Sequence, residues 1–329
     1  MTASAKPCAI CHTSDVAQQF TKFGFDVVKC RSCGLVYLNH SMTPDDLRDF
    51  YSKEYFSGGE DRKGYADYVG DEDSIRRSFR EKVRTIESLH PRGTILDIGC
   101  AAGFFMDEAA AMGWEVYGQE VSEYAGGVAR ERHGDHVFIG TIDAVDLPPK
   151  SMDVVTMWDV IEHLDDPRAV LARIRELLKD DGLFAVCTGD IDSWIARLQG
   201  RRSRIFNPPQ HLYYYSKDSL ARMLGAAGFQ ARRQEIDRKV LSLEYFFYVV
   251  SCLNSNPVTR FLHRQVGRLR LGKRAIRMPL PDNQVVYAAL APVPGAVSAD
   301  RASAGGAAGV APREAVGAGS GVSGVTDQR

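Results

Sequence analysis

Two sets of residues in this sequence have the types and spacing needed for chemistry. The first is four thiols, Cys8 and Cys11 in "CAIC" and Cys30 and Cys33 in "CRSCG". Two C-x-x-C knuckles joined by a strand-like stretch bring four sulfurs within reach of one tetrahedral ion. Four sulfur ligands leave no open position for substrate, so the expectation is a structural zinc. A redox pair or an iron centre is the rival reading. The second set is acidic. In "ILDIGCAAGFF", Asp97 ends an apolar run and is followed by Gly99 and Gly103; Glu120 ends the next run, "EVYGQE". A phosphate-binding turn begins with glycine and offers helix N–H groups to an anion, whereas a carboxylate at that place repels phosphate and suits a cationic ammonium. A carboxylate at the end of the following strand suits ribose hydroxyls. Together they describe an adenosine with an amino-acid tail.

The elements that must hold these residues follow from periodicity. "TILDIG", "EVYGQEV", "HVFIG", "MDVVTMWD" and "GLFAVCTG" are short apolar runs, and helix-period segments at 104–112, 122–132 and 167–179 fall between them. Such alternation predicts an α/β fold, a parallel sheet covered by helices on both faces. "GFQARRQEID" and "NQVVYAALAP" read as two late strands, which suit an added antiparallel edge. Four regions result: a zinc-binding module over 1–40, a helical extension or lid over 41–92, the α/β domain over 93–292 with a helical insertion at 239–282, and an Ala/Gly-rich tail at 293–329. That tail lacks the large apolar side chains that offset ordering entropy, so it is expected to be disordered.

A length of 329 residues, 44% hydrophobic and 25% charged, allows a full core, and a formal net charge of -1 offers no global attraction to nucleic acid or to an anionic membrane. The start of the chain has no apolar leader pattern and no apolar run is long enough to span a bilayer, from which a cytoplasmic protein is expected. In a reducing compartment the lone Cys100, Cys187 and Cys252 read as small buried hydrophobes.

Several motifs in order then resemble one family. "LDIGCAAG", "YGQEVS", "MDVVTMWDVIEHLDDP", "LLKDDGLFAVCTG" and "HLYYYSKDSLARMLGAAGF" are similar to the class I S-adenosylmethionine-dependent methyltransferases, in particular the ubiquinone-pathway O-methyltransferase branch, over about residues 90–235. The N-terminal part resembles members in which a zinc-ribbon module precedes a Rossmann-like methyltransferase sheet. The resemblance implies that Asp97, Gly99 and Gly103 surround the methionine part of S-adenosylmethionine, that Glu120 holds the ribose, and that Asp143 lies beside the adenine. Ala101 departs from the glycine usual at its position, which a methyl group tolerates if φ is negative.

For the reaction itself, Asp159, Glu162 and His163 fall at i, i+3 and i+4 and would share one face of a helical turn. His163, titrating near neutrality when unperturbed, suits a base for a hydroxyl acceptor, and His211 is a second candidate that spacing does not separate from it. The resemblance also implies a divalent metal on Asp159, Glu162 and His163 as an option. Residues 190–216 form the expected acceptor wall, where Arg201, Arg202 and Arg204 suggest an anionic or flat acceptor. In the insertion, the arginines at 260, 264 and 268 make a basic amphipathic helix, so segment 257–277 is a candidate contact for an anionic surface or substrate. The expectation is methyl transfer to a small molecule, O-methylation favoured. An RNA base methyltransferase or a silent scaffold of the same fold are the alternatives.

Overall fold

Continuous burial along the apolar runs builds the sheet. The computed structural model describes residues 6–40, 72–237, 240–242, 275–277 and 282–291. Ile95, Val154, Ala185 and Cys187 pack on one face, and Leu96, Val155, Phe184 and Val186 on the other. Successive side chains of a strand point to opposite faces, so strands buried on both must be apolar at nearly every position. The strands are β4 (Thr94–Ile98), β5 (Glu115–Glu120), β6 (Val137–Ile139), β7 (Met152–Trp158), β8 (Leu178–Gly189), β10 (Phe229–Ile236) and β13 (Asn283–Leu290). Their order is β10-β13-β8-β7-β4-β5-β6, with β4 to β8 parallel and β13 antiparallel to both its neighbours. The late pair is therefore the expected antiparallel edge of the sheet. The last strand is inserted beside β8, and β10 takes the edge. Val285, Val286, Tyr287 and Ala288 are all buried, which an edge position would not provide.

Helices α1 (Glu72–Glu87), α2 (Phe104–Ala111) and α3 (Glu123–His133) contribute to the core on the Ile95 face, and α4 (Pro167–Leu177), α5 (Trp194–Gln199) and α6 (Lys217–Ala226) to the opposite one. Their starts are chemically specified. Ser122 accepts from Ala125 N ahead of α3, Asp166 accepts from Arg168 N and Ala169 N with Pro167 next, and Ser216 with Ser219 forms a capping box on α6. The helix expected over 167–179 stops at Leu177, because Leu178 already pairs with Met152. The irregular register that follows passes through Gly182, where a Cβ would meet the Lys179 carbonyl at 2.9 Å.

The cysteine segment builds its own sheet from β1 (Val16–Lys22), β2 (Phe25–Cys30) and β3 (Val36–Leu38), and this sheet takes a fourth strand, β9 (Tyr213–Tyr214), from the expected acceptor wall. Short β11 (Val240–Ser242) and β12 (Ala275–Arg277) pair antiparallel within the region read as a helical insertion, so both of these pieces are strand rather than helix. Residues 41–71, 243–274 and 292–329, which carry most of the expected lid, the basic helix, Cys252 and the tail, lie outside the described residues. Among the described residues, no helix is long and apolar enough to cross a membrane.

Candidate functional site

The sheet's order reverses between β4 and β7, which in open α/β sheets is where ligands bind, beyond the carboxyl ends of the strands. Asp97 is at this end of β4. It is buried, and Thr156 of β7 donates its hydroxyl to Oδ1 at 2.6 Å. Burial chiefly, and the charge of Glu120 to a lesser degree, push Asp97 up to about 8, against the Thr156 hydrogen bond and the positive charge of Lys82. Glu120 ends β5 and is also buried. Its Oε2 accepts from Ala101 N and its Oε1 from Ser122 N, both at 2.8 Å. Burial raises its pKa, and these backbone donors oppose the rise. Each of its oxygens has a second lone pair, so the carboxylate can brace the turn and accept from a diol at once.

The turn between β4 and α2 depends on glycine at two positions. Gly99 has φ 72, and a Cβ there would lie 2.5 Å from Val160 Cγ2; Gly103 has φ 81. Ala101 stands at φ 47, so the condition under which its methyl would be tolerated without strain is not met. A left-handed residue with a Cβ costs about 1–2 kcal/mol. Ala101→Gly should therefore stabilise the chain by about 1 kcal/mol after the added freedom of the unfolded glycine is subtracted. The check is a higher urea midpoint at unchanged slope. Asp143 lies exposed in a short 3-10 turn (Ile142–Ala144) after β6, on the far side of Glu120 from Asp97 in strand order.

Beyond β7 the chain does not continue as a helical turn. Asp159 adopts φ 55, and only Ile161–His163 forms a 3-10 turn, so Asp159, Glu162 and His163 do not share a helical face. Asp159 Oδ1 accepts from Asn283 Nδ2 at 2.7 Å, whereas Glu162 Oε2 accepts from Thr188 Oγ1 at 2.9 Å. His163 instead meets His211, ring centroids 4.7 Å apart and edge to face. His163 Nδ1 donates to the Gln210 carbonyl at 3.0 Å and His211 Nδ1 to the Ile205 carbonyl at 2.7 Å. A carbonyl only accepts, so whenever either ring is neutral its Nε2 is the acceptor nitrogen. Burial first, then the neighbouring His211, push His163 down to about 3. One ligand atom each from Glu162, His163 and His211 lies within 4.8 Å of the others, so the group that could share a cation contains His211 and not Asp159.

A family model described as a methyltransferase domain matches residues 71–234. Residues 71–234 are a methyltransferase domain. Among curated relatives, the ubiquinone biosynthesis O-methyltransferase of Idiomarina loihiensis is 28% identical over 148 residues, 41% of this chain and 61% of the relative. That of Cereibacter sphaeroides is 36% identical over 99 residues, 29% of this chain and 40% of the relative. The chain thus spans less than two thirds of either. Among solved structures, the 1,6-didemethyltoxoflavin-N1-methyltransferase of Burkholderia thailandensis aligns with a TM-score of 0.48 at 17% identity, covering 84% of this chain and 99% of that one.

Ahead of the methyltransferase domain, Cys8 Sγ lies 3.3 Å from Cys33 Sγ and Cys11 Sγ 3.4 Å from Cys30 Sγ, with all four within 4.8 Å of one another. Sulfurs about 2.3 Å from a common ion stand at separations of this order, too long for a disulfide of about 2.05 Å. Ile10 N points at Cys8 Sγ, as a metal knuckle requires. Cys100 and Cys187 are buried in the core of the methyltransferase domain, where the Cys187 thiol donates to Asp237 Oδ2 at 3.4 Å. Three residues that hold the site lie inside the quoted segments with nothing in the motifs to mark their role: Thr156 under Asp97, Thr188 under Glu162 and Asn283 beside Asp159. Each comes from a different strand, and only the lateral pairing of strands brings them in.

Proposed function

We propose that this protein transfers a methyl group from S-adenosylmethionine to a small-molecule acceptor, with an oxygen as the favoured methyl acceptor. The observation that carries the reading is the pair of buried carboxylates, Asp97 and Glu120, at the carboxyl ends of adjacent parallel strands around the Gly99 to Gly103 turn. Asp97 suits the ammonium of the methionine part, Glu120 the ribose diol and Asp143 the adenine. The indole N–H of Trp158, at the end of β7, is buried and among the described residues has no hydrogen-bond partner, which makes it a donor available to a polar guest. The curated relatives are named O-methyltransferases, which supports the choice of oxygen.

S-adenosylmethionine supplies an electrophilic methyl on a sulfonium, so the protein's tasks are to hold the acceptor in line and exclude water. A hydroxyl acceptor must also lose its proton, and of the histidine pair we assign that role to His211, since burial holds its neighbour His163 down to about 3 and makes it a weak base. Asp159, tied to Asn283, fixes the chain between β7 and that pair. The thiols of Cys8, Cys11, Cys30 and Cys33 hold zinc, with no part in the reaction. The test is incubation of the protein with S-adenosylmethionine and a pool of phenolic and hydroxylated acceptors. A mass gain of one methyl is expected on one of them; failure to bind the cofactor by calorimetry refutes the reading.

The charge at Asp97 adds a pH dependence. Its carboxyl sits near 8 in the fold against 3.8 ordinarily, so the folded state carries the extra proton between those values and loses stability as pH rises through them. A bound ammonium favours the ionised form. Affinity for S-adenosylhomocysteine should accordingly rise from pH 6 to pH 8, by up to about tenfold per unit, and then level. Calorimetry across that range decides it, and a flat profile would remove Asp97 from contact with the ammonium.

A further inference from the structure

We propose that the four-cysteine module is a splint for the acceptor side of the site: the bound ion keeps His211 against His163 through β9. This rests on the reading above, which assigns that histidine pair to the acceptor.

The mechanical connection runs through backbone. β3 pairs with β9 at Val36 to Tyr214 and Tyr37 to Tyr213, and Leu38 N donates to the Leu212 carbonyl at 2.8 Å. Leu212, directly after His211, donates its own N–H to the Glu162 carbonyl at 2.7 Å, directly before His163. One residue of β9's leading edge is therefore held by the cysteine module on its carbonyl and by the methyltransferase domain on its N–H. The loop that carries His211 is gripped at a second place. Lys22 Nζ donates to the Phe206 carbonyl at 2.6 Å, and the rings of Phe20 and Phe206 meet edge to face at 5.0 Å. Ile205, whose carbonyl accepts from His211 Nδ1, is the residue before Phe206.

β3 in turn depends on the thiolates. Cys30 ends β2, its N–H donates to the Leu35 carbonyl at 2.9 Å, and Cys33 lies in the turn that delivers the chain to Val36. Val36, Tyr37 and Leu38 pack in the core cluster shared with the methyltransferase domain, but the turn that delivers them is exposed at Arg31 and Ser32 and has little apolar burial of its own, and structural zinc supplies folding energy outright. The hydrogen bonds of Asp97 and Glu120, in contrast, are made with Thr156, Ala101 and Ser122, none of them in the module. The ion should therefore govern the histidine pair and leave the cofactor site intact.

The test uses the full chain, zinc-loaded and then stripped by chelation, with three readouts: S-adenosylhomocysteine affinity by calorimetry, the imidazole C–H signals of His163 and His211 by NMR, and methyl transfer to an acceptor found in the pool. Stripping is expected to leave the affinity within about threefold, to shift or broaden both histidine signals, and to slow transfer about 100-fold, as a misplacement of the order of 1 Å can. Zinc should restore both. Leu38→Pro, which removes the N–H given to Leu212 together with a buried leucine side chain and keeps all four thiols, should retain zinc and the affinity and reproduce the histidine and turnover losses. Unchanged histidine signals in stripped protein, or loss of cofactor binding in parallel with them, would overturn the splint. If the zinc-loaded protein binds no S-adenosylhomocysteine, the methyltransferase reading falls, while the histidine signals still decide whether the module holds the pair.

Discussion

Gly99→Ala is expected to destabilise the chain by about 2–4 kcal/mol, from a Cβ in the left-handed region and from overpacking, and to weaken S-adenosylhomocysteine binding by more than about tenfold. The new Cβ would fall 2.5 Å from Val160 Cγ2 at φ 72, and Val160 leads into the 3-10 turn that presents Glu162 and His163. Neither partner can give easily. Val is stiff at χ1, and the Gly99 and Cys100 N–H groups are both committed to the Gln119 carbonyl, at 2.8 and 2.9 Å. Denaturant unfolding and calorimetry measure the two parts. Ala101→Gly, two residues further along the turn, should move stability in the opposite direction, so the pair separates backbone strain from mere proximity to the site.

The second large effect belongs to the thiols. Cys8→Ser should reduce bound zinc from about one per chain to near none and should strip residues 6–40 of amide protection, because structural zinc contributes apparent free energies of about 10–16 kcal/mol in small modules. Cys8 is completely buried beside Cys33, with Tyr37 and Leu38 in the same core cluster. A serine there offers a poorer ligand and leaves a hydroxyl in an apolar setting. Metal analysis and hydrogen exchange are the measurements. Protection in β4, β5 and β7 should survive, since those strands are paired to one another and not to the module. Cys100→Ser is the control. It removes a buried sulfur from the methyltransferase domain and should leave the zinc content unchanged.

Local pattern determined much of this protein. Burial on both faces requires unbroken apolar runs, so β4, β5 and β7 were legible, and so were the ends at which Asp97 and Glu120 stand. Two C-x-x-C pairs needed only knuckle spacing to imply a shared ion, and the sulfurs do converge. What periodicity could not carry was anything decided by lateral contact. The insertion of β13 between β8 and β10 is settled by which unpaired backbone edges meet, and an apolar run reads the same wherever it lies in a sheet. The turn of Asp159 toward Asn283, and of His163 toward His211, depends on a left-handed residue that an aspartate does not announce. Ala101 likewise reads as an ordinary alanine until the hydrogen bond from its N–H to Glu120 fixes its φ. Sequence thus set which segments are buried and which chemical groups sit at their ends. Only tertiary structure decided which groups face one another, because hydrogen-bond partners and shared volume between distant segments have no local period to betray them.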